Sequence, residues 1–325
     1  MKANFWHQYP LVKDDLVKVN QLIRQKIVVK DPKLEAALLE MTNNGGKYLR
    51  PALLLLFSKS AQARPADERL LKLAASIEVL HTATLLHDDV IDDSPKRRGQ
   101  VSIQSAFGKD IAVYAGDLLF TVFFDLIAEV LYDSPYLQIN ARVMRQILNG
   151  EIQQMNARFD TEQTFLSYLR NINGKTAAIF SLACAEGAFF GQADPSEVKL
   201  AKQIGQNIGL SFQMLDDILD YSDAKRLNKP VMEDLATGVY SLPLLVLLPK
   251  HQATFAPYLE KKQTLTLQEM EQVKQLVVEL GGIAQATTLA QKFTQKALQQ
   301  VELLAPSPKK ELLKKLITRL LKRTY

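Results

Sequence analysis

Apolar residues along the chain recur at three- and four-residue steps. Leu34, Ala37, Leu38 and Met41 form one such series, and Leu71, Leu73, Ala74, Ile77 and Leu80 a second. Leu312, Leu313, Leu316, Ile317, Leu320 and Leu321 form a third. That period lays apolar side chains along one face of an α-helix. Alternation of period two, the mark of a half-buried strand, is almost absent. Breakers separate the runs: Asn43-Asn44-Gly45-Gly46, Asp133-Ser134-Pro135, Asn173-Gly174, Ala193-Asp194-Pro195 and Pro306-Ser307-Pro308. None has the length of a linker between independent domains, and there is no low-complexity tract or short repeat. The pattern predicts an all-α protein in which residues 1–325 form a single domain of roughly ten or more helices.

Composition supports a folded chain with a sizeable core: 325 residues, 47% of them hydrophobic and 23% charged. The net charge of +5 suits anionic partners without choosing among nucleic acid, phosphorylated metabolite and membrane surface. The basic groups form no aromatic-interleaved patch, which argues against nucleic acid. Cys184 is the sole cysteine and sits in Leu182-Ala183-Cys184-Ala185, so it reads as a buried, inert thiol in a reducing compartment. Residues Met1 to Trp6 lack the apolar core of a signal peptide. The most apolar short run, Leu242 to Leu248, is far below the ~18 residues of a spanning helix. The expectation is a cytoplasmic protein not integral to a membrane.

Two acidic clusters change the picture. In Leu85-Leu86-His87-Asp88-Asp89-Val90-Ile91-Asp92-Asp93 an apolar helix runs into four carboxylates. Asp88 and Asp92, four apart, share a helix face, with Asp89 beside them. Gln213-Met214-Leu215-Asp216-Asp217-Ile218-Leu219-Asp220 has the same form. Like charges at this spacing are unfavourable unless a cation lies between them. Hard oxygen ligands of this kind suit Mg²⁺, which shares its shell with substrate phosphates. The separation along the chain lets two helices face each other across a cavity.

Cations for a diphosphate are available nearby. Gly45-Gly46-Lys47-Tyr48-Leu49-Arg50-Pro51 places Lys47 and Arg50 one helical turn apart, and Lys96-Arg97-Arg98-Gly99 follows the first acidic cluster. Arginine binds phosphate oxygens in a bidentate fork and lysine adds a mobile charge. Gly174-Lys175-Thr176 offers another lysine and a hydroxyl, and Lys229 follows the second cluster. A P-loop is rejected because its upstream glycine is missing, residues 169 and 170 being Leu and Arg. His81 and His87 lack zinc-site spacing. His81 reads as a polar contact near substrate, and His87 equally as a satisfied helix histidine.

Taken together, these segments resemble the trans-isoprenyl (polyprenyl) diphosphate synthases, from about Gly45 to Pro243 and more weakly to the C-terminus. The resemblance implies a single bundle of mostly antiparallel helices around a deep apolar cavity, normally dimeric. It implies that Asp88, Asp89 and Asp92, with Asp216, Asp217 and Asp220, hold Mg²⁺, three ions with substrate bound. It implies that Lys47, Arg50, His81 and Arg98 bind isopentenyl diphosphate and that Arg97 binds the allylic diphosphate, farnesyl or geranyl. Lys175, Thr176, Gln213 and Lys229 match residues near the ionising diphosphate. Tyr48, Asn228 and Val239 depart from the family pattern, which bears on diphosphate binding and flap closure.

The implied activity is long-chain: isopentenyl diphosphate is condensed head-to-tail onto an allylic primer by ionisation, alkylation and proton loss. Ala83 and Thr84, one turn upstream of Asp88, are small where short-chain members carry aromatic residues, which leaves the tunnel open. Bulky residues such as Phe123 or Phe124 on a following helix are expected to set its floor, and Ala83→Phe is expected to shorten the product. The basic, amphipathic stretch Pro308 to Tyr325 suits a packed terminal helix, or peripheral contact with an anionic membrane. Lys322-Arg323-Thr324-Tyr325 also resembles the catalytic component of two-component bacterial synthases. The partner is then a second copy or a small non-catalytic subunit. Two rivals stand beside this reading. A class I terpene cyclase usually carries an Asn-Ser-Glu type of second motif, and a regulatory non-catalytic subunit usually loses one acidic cluster; this chain keeps both.

Overall fold

The computed structural model describes residues 3–43, 47–59, 65–97, 99–221 and 232–321. Gly45, Gly46, Arg98, Asn228, Lys229 and the terminal Lys322-Arg323-Thr324-Tyr325 lie outside the described residues. The chain is all-α. In order it forms α1 (Ala3–Trp6), α2 (Pro10–Lys26), α3 (Pro32–Asn43), α4 (Leu49–Ser58), α5 (Glu68–Ile91), α6 (Ile103–Phe107), α7 (Lys109–Leu131), α8 (Tyr136–Asn156) and α9 (Phe165–Ile172). A π-helical turn, Asn173–Ala177, leads into α10 (Ala178–Phe190). There follow α11 (Pro195–Leu219), α12 (Glu233–Ala236), α13 (Leu242–Leu245), α14 (Leu248–Leu259), α15 (Leu267–Glu279), α16 (Gly282–Glu302) and α17 (Pro308–Leu321). Two features depart from expectation. Asn173-Gly174 does not stop the helix but is absorbed in the π-turn. A small antiparallel hairpin pairs Lys96 with Val101 and Arg97 with Gln100, turning through Gly99 at φ +83.

The chain divides into two compact units. The first comprises Met1–Ala141, Leu182–Lys202 and Leu304–Leu313. Its central helix, α5, starts where the Asp67 side chain accepts from the Leu70 amide at 2.9 Å. It is apolar around most of its circumference and accordingly buried along most of its length. α2 packs through Val12, Leu16, Val19 and Ile23, one face at helical spacing. α4 is buried almost entirely, and α10 lies against it backbone to backbone. A Cβ on Gly187 would meet the Leu54 carbonyl at 2.1 Å, so only glycine permits that approach. Cys184 is buried as expected, and burial pushes its thiol up, away from reactivity. α7 corrects the expectation that no segment reaches membrane-spanning length. It is 23 residues long and its most apolar 18-residue stretch has a mean hydropathy of 1.8, long and apolar enough by composition, but the helix packs along α5.

The second unit comprises Arg142–Ser181, Gln203–Leu303 and Lys314–Tyr325. Its core gathers Tyr168, Leu210, Met214, Ile218, Leu242, Phe255, Val273 and Ala286. α11 and α16 meet through small residues, with the Ser211 hydroxyl 2.7 Å from that of Thr294. On α17, Leu313, Leu316, Ile317 and Leu320 are buried. Of the two readings for this stretch, that burial fits the packed terminal helix.

One buried acid carries a consequence for stability. Glu186, in the first unit, is fully buried and accepts from Asn140 Nδ2 at 2.8 Å. Its second oxygen has no partner among the described residues. Burial pushes the carboxyl up to about 8, and the Asn140 hydrogen bond opposes the shift only in part. The folded state therefore keeps the proton from the ordinary carboxylate range, 4.5, up to about 8, while the unfolded chain loses it. Stability falls with pH across that window. Glu186→Gln removes the titration. The variant should gain about 1–3 kcal/mol over the parent at pH 8 relative to the difference at pH 4.5, read from urea midpoints at the two pH values; an equal difference at both overturns the assignment.

Candidate active site

The first acidic motif lies at the end of α5. Asp88 is in the last turn and Asp92 is its C-cap, the Asp92 amide donating to the Asp88 carbonyl at 2.9 Å. Helix C-termini carry partial negative charge, so two carboxylates there form an unfavourable concentration that a cation relieves. Asp89 points the other way. It is 2% exposed, and its Oδ1 accepts from Arg97 Nε at 2.7 Å and from a second guanidinium nitrogen of the same residue. The hairpin that carries Arg97 is thereby fastened to the helix end. Asp89, expected among the metal ligands, turns its carboxylate to Arg97 in this structure.

Other expected groups of this unit occupy defined places. Tyr48 precedes α4 in the left-handed conformation, φ 51. Its hydroxyl donates to the Thr42 carbonyl at 3.0 Å and accepts from Asn20 Nδ2 at 2.8 Å. Trp6 Nε1 donates to the Lys47 carbonyl at 2.7 Å, and the Lys47 ammonium lies 5.5 Å from the centre of the Phe5 ring. The Lys47–Arg50 corner is thus braced from α1, α2 and α3. His81 is half-buried on α5. His87 is the satisfied helix histidine. Its Nδ1 lies 3.1 Å from the Ala83 carbonyl and its Nε2 3.2 Å from Asp117, and the ring stacks on Phe120. Gly116 makes room for it, since a Cβ there would fall 2.4 Å from the imidazole.

The residues expected to sense the tail separate by face. Thr84, Asp88 and Asp92 form an i, i+4 ladder, and Thr84 is half-buried. Ala83 is fully buried on the His87 side, so a large side chain there would overpack the helix contact. Phe123 is fully buried, but Phe124 is 46% exposed. Successive helix residues differ by about 100°, so of the two rings Phe123 is the one turned into the fold.

The second motif repeats the first arrangement. Asp216 lies in the last turn of α11 and Asp220 just beyond it, the Asp220 amide donating to the Asp216 carbonyl at 3.3 Å. Asp217 turns inward. Its Oδ2 accepts from Tyr168 Oη at 2.7 Å and the Leu242 amide at 3.2 Å, and its Oδ1 from Gln213 Nε2 at 2.9 Å. Burial, then the charge of Asp234, pushes Asp217 up to about 7 against those bonds. Both oxygens accept hydrogen bonds from within the unit, so Asp217, like Asp89, is tied into the fold. Gln213 Oε1 in turn accepts from Thr176 Oγ1 at 2.7 Å. Thr176 and Gln213 thus belong to an internal relay ending on Asp217.

Lys175 sits on the π-turn. Its ammonium donates to Gln154 Oε1 at 2.9 Å and pairs with Glu151 at 2.8 Å. Two glycines allow the turn to lie on α8: a Cβ on Gly150 would fall 2.6 Å from the Lys175 amide nitrogen, and one on Gly174 3.0 Å from the Gln146 carbonyl. π-Turns concentrate at functional sites. Glu151, Gln154 and Tyr168 were not singled out in the sequence. The i, i+3 spacing of Glu151 and Gln154 was the available signal.

Among the described residues no three His, Cys, Asp or Glu side chains converge into a closed metal cage. Each motif instead presents two carboxylates from the end of a helix. That donor set fits Mg²⁺, which takes one or two carboxylates and completes its shell with water and substrate phosphate.

Comparison with known proteins agrees with this chemistry. A family model described as polyprenyl synthetase matches residues 31–280. Solanesyl-diphosphate synthase 2 of Oryza sativa subsp. japonica is 33% identical over 91% of this chain and 74% of its own. Heptaprenyl diphosphate synthase component 2 of Geobacillus stearothermophilus is 31% identical over 98% of both chains. The crystal structure of geranylgeranyl pyrophosphate synthase from Lactobacillus brevis ATCC 367 superposes with a TM-score of 0.92 at 40% identity, covering 99% of this chain and 100% of that one.

Anchoring and ligation by the carboxylates predict different phenotypes. Asp89→Asn and Tyr168→Phe should each lower conformational stability by about 1–3 kcal/mol in chelator, read from urea midpoints. Unchanged midpoints combined with weakened metal binding would return Asp89 and Asp217 to the ligand set.

Proposed function

The chain belongs to the polyprenyl synthetase family, and we propose that it is a long-chain trans-polyprenyl diphosphate synthase. The family is Mg²⁺-dependent and its members act on isoprenyl diphosphates. The observation that carries the reading is the repeated pair of carboxylates, Asp88 with Asp92 and Asp216 with Asp220, each at the negative end of a helix.

In the proposed reaction Lys47, Arg50, His81 and Arg98 hold isopentenyl diphosphate. Arg97, oriented by Asp89, and Lys175 and Lys229 meet the allylic diphosphate. Asp88, Asp92, Asp216 and Asp220 are the proposed ligands of three Mg²⁺ ions, which neutralise the leaving diphosphate when bound. The basic side chains stabilise the charge that develops as the allylic C–O bond breaks. The double bond of isopentenyl diphosphate attacks the allylic cation, forming the new C–C bond. A proton is then lost to the released diphosphate, leaving a trans alkene one isoprene unit longer. Positioning and exclusion of water carry most of the catalysis, since water quenches the cation. Residues 1–325 act as one synthase, and its partner is a second copy or a small non-catalytic subunit. The name "component 2" of the Geobacillus relative supports the second option, and exposed Val113, Tyr114 and Phe124 on α7 offer apolar surface to either.

A second reading, a product of geranylgeranyl length, is favoured by the 40% identity to the Lactobacillus protein. Both are tested by incubating the purified chain with Mg²⁺, farnesyl diphosphate and labelled isopentenyl diphosphate, then separating the dephosphorylated products. A ladder beyond geranylgeraniol is expected; a single step to that alcohol supports the shorter product. No elongation, restored by a small subunit, assigns a two-component enzyme. Thr84→Phe should shorten the ladder without lowering stability, whereas Ala83→Phe should chiefly destabilise. An unchanged ladder for Thr84→Phe refutes tail sensing at that turn.

A further inference from the structure

The second unit contains a polar cleft of about 250 Å³ that none of the roles above uses. Arg142 and Arg145, one turn apart on α8, and Arg170, in the last turn of α9, all line it. All three are exposed, and none has an ion-pair partner among the described residues. Among the described residues no carboxylate lines the cleft; the rest of its polar wall is Gln146, Asn149 and Gln153, neutral amides able to donate. Three unpaired guanidinium groups around one concavity repel each other unless an anion sits among them. Forked guanidinium donors match the oxygens of a phosphoryl group, with amides completing its hydrogen bonds.

We propose that this cleft is a second phosphoryl-anion site, distinct from the acidic motifs and their cations. Its position connects it to Lys175. Gly150 and Gly174, which also line it, are the glycines on which the π-turn rests against α8. Glu151 and Lys175 follow them directly and form the ion pair on the far side of that contact. An anion in the cleft therefore bears on the backbone that carries Lys175. Soluble diphosphate and the headgroup of an anionic phospholipid share the recognised chemistry.

The test uses the full chain in chelator, so that metal-assisted binding at the acidic motifs is suppressed. Inorganic diphosphate is titrated calorimetrically, and sedimentation is followed with vesicles of phosphatidylglycerol and with vesicles of phosphatidylcholine. Arg145→Gln and Arg170→Gln, surface changes that should leave the urea midpoint unchanged, are expected to weaken binding about tenfold each. Loss confined to diphosphate assigns a soluble ligand; loss confined to phosphatidylglycerol vesicles assigns a headgroup. Either supports the site. Binding that is absent, or indifferent to both substitutions, overturns it. So does a change of oligomeric state in the variants without a change in anion binding, which would mark the arginines as contacts to a second subunit.

Discussion

Two helices of this protein end on negative charge. The C-terminus of an α-helix already carries unsatisfied carbonyls and the negative pole of the macrodipole. Basic residues are the usual complement there, yet α5 ends on Asp88 and Asp92, and α11 on Asp216 and Asp220. Such an arrangement suits the binding of a cation, whose charge offsets that of the helix end and its carboxylates. Much else in the structure serves to hold these ends still: the hairpin carrying Arg97, the His87 bracket onto α7, and the Tyr168 and Leu242 contacts behind α11.

Within each motif the division of labour follows helical geometry. The first and last carboxylates share a face, and the middle one is rotated about 100° toward the interior. Buried there, a carboxylate is costly unless satisfied. Asp89 is satisfied by a guanidinium and Asp217 by three neutral donors. The difference shows in their ionisation. Asp217 has no cationic partner among the described residues and is pushed up to about 7. One sequence pattern is thus stabilised in two chemically different ways.

The all-α class and the acidic motifs were legible because they rest on local periodicity. The breakers Asp133-Ser134-Pro135 and Ala193-Asp194-Pro195 fall between helices as expected. What spacing left open is which way a side chain faces once helices pack. Asp89 and Asp217 turn inward, and spacing alone does not tell an outward carboxylate from an inward one. Ala83 and Thr84 looked equivalent, and Phe123 and Phe124 did too, until α7 packed on α5 and split each pair. The Asn173-Gly174 break failed for another reason: glycine also permits close backbone approach, and here Gly174 is pressed against α8 rather than ending a helix.

The π-turn at Asn173–Ala177 means that the length of this segment is itself information. Deleting one residue would convert it to an uninterrupted α-helix, with better hydrogen-bond geometry and less local irregularity. The same deletion would swing Lys175 about a third of a turn, away from Glu151 and Gln154. Local regularity and the placement of that ammonium are therefore in opposition. Among descendants of this chain, the segment should accept changes of residue far more readily than any change in the number of residues.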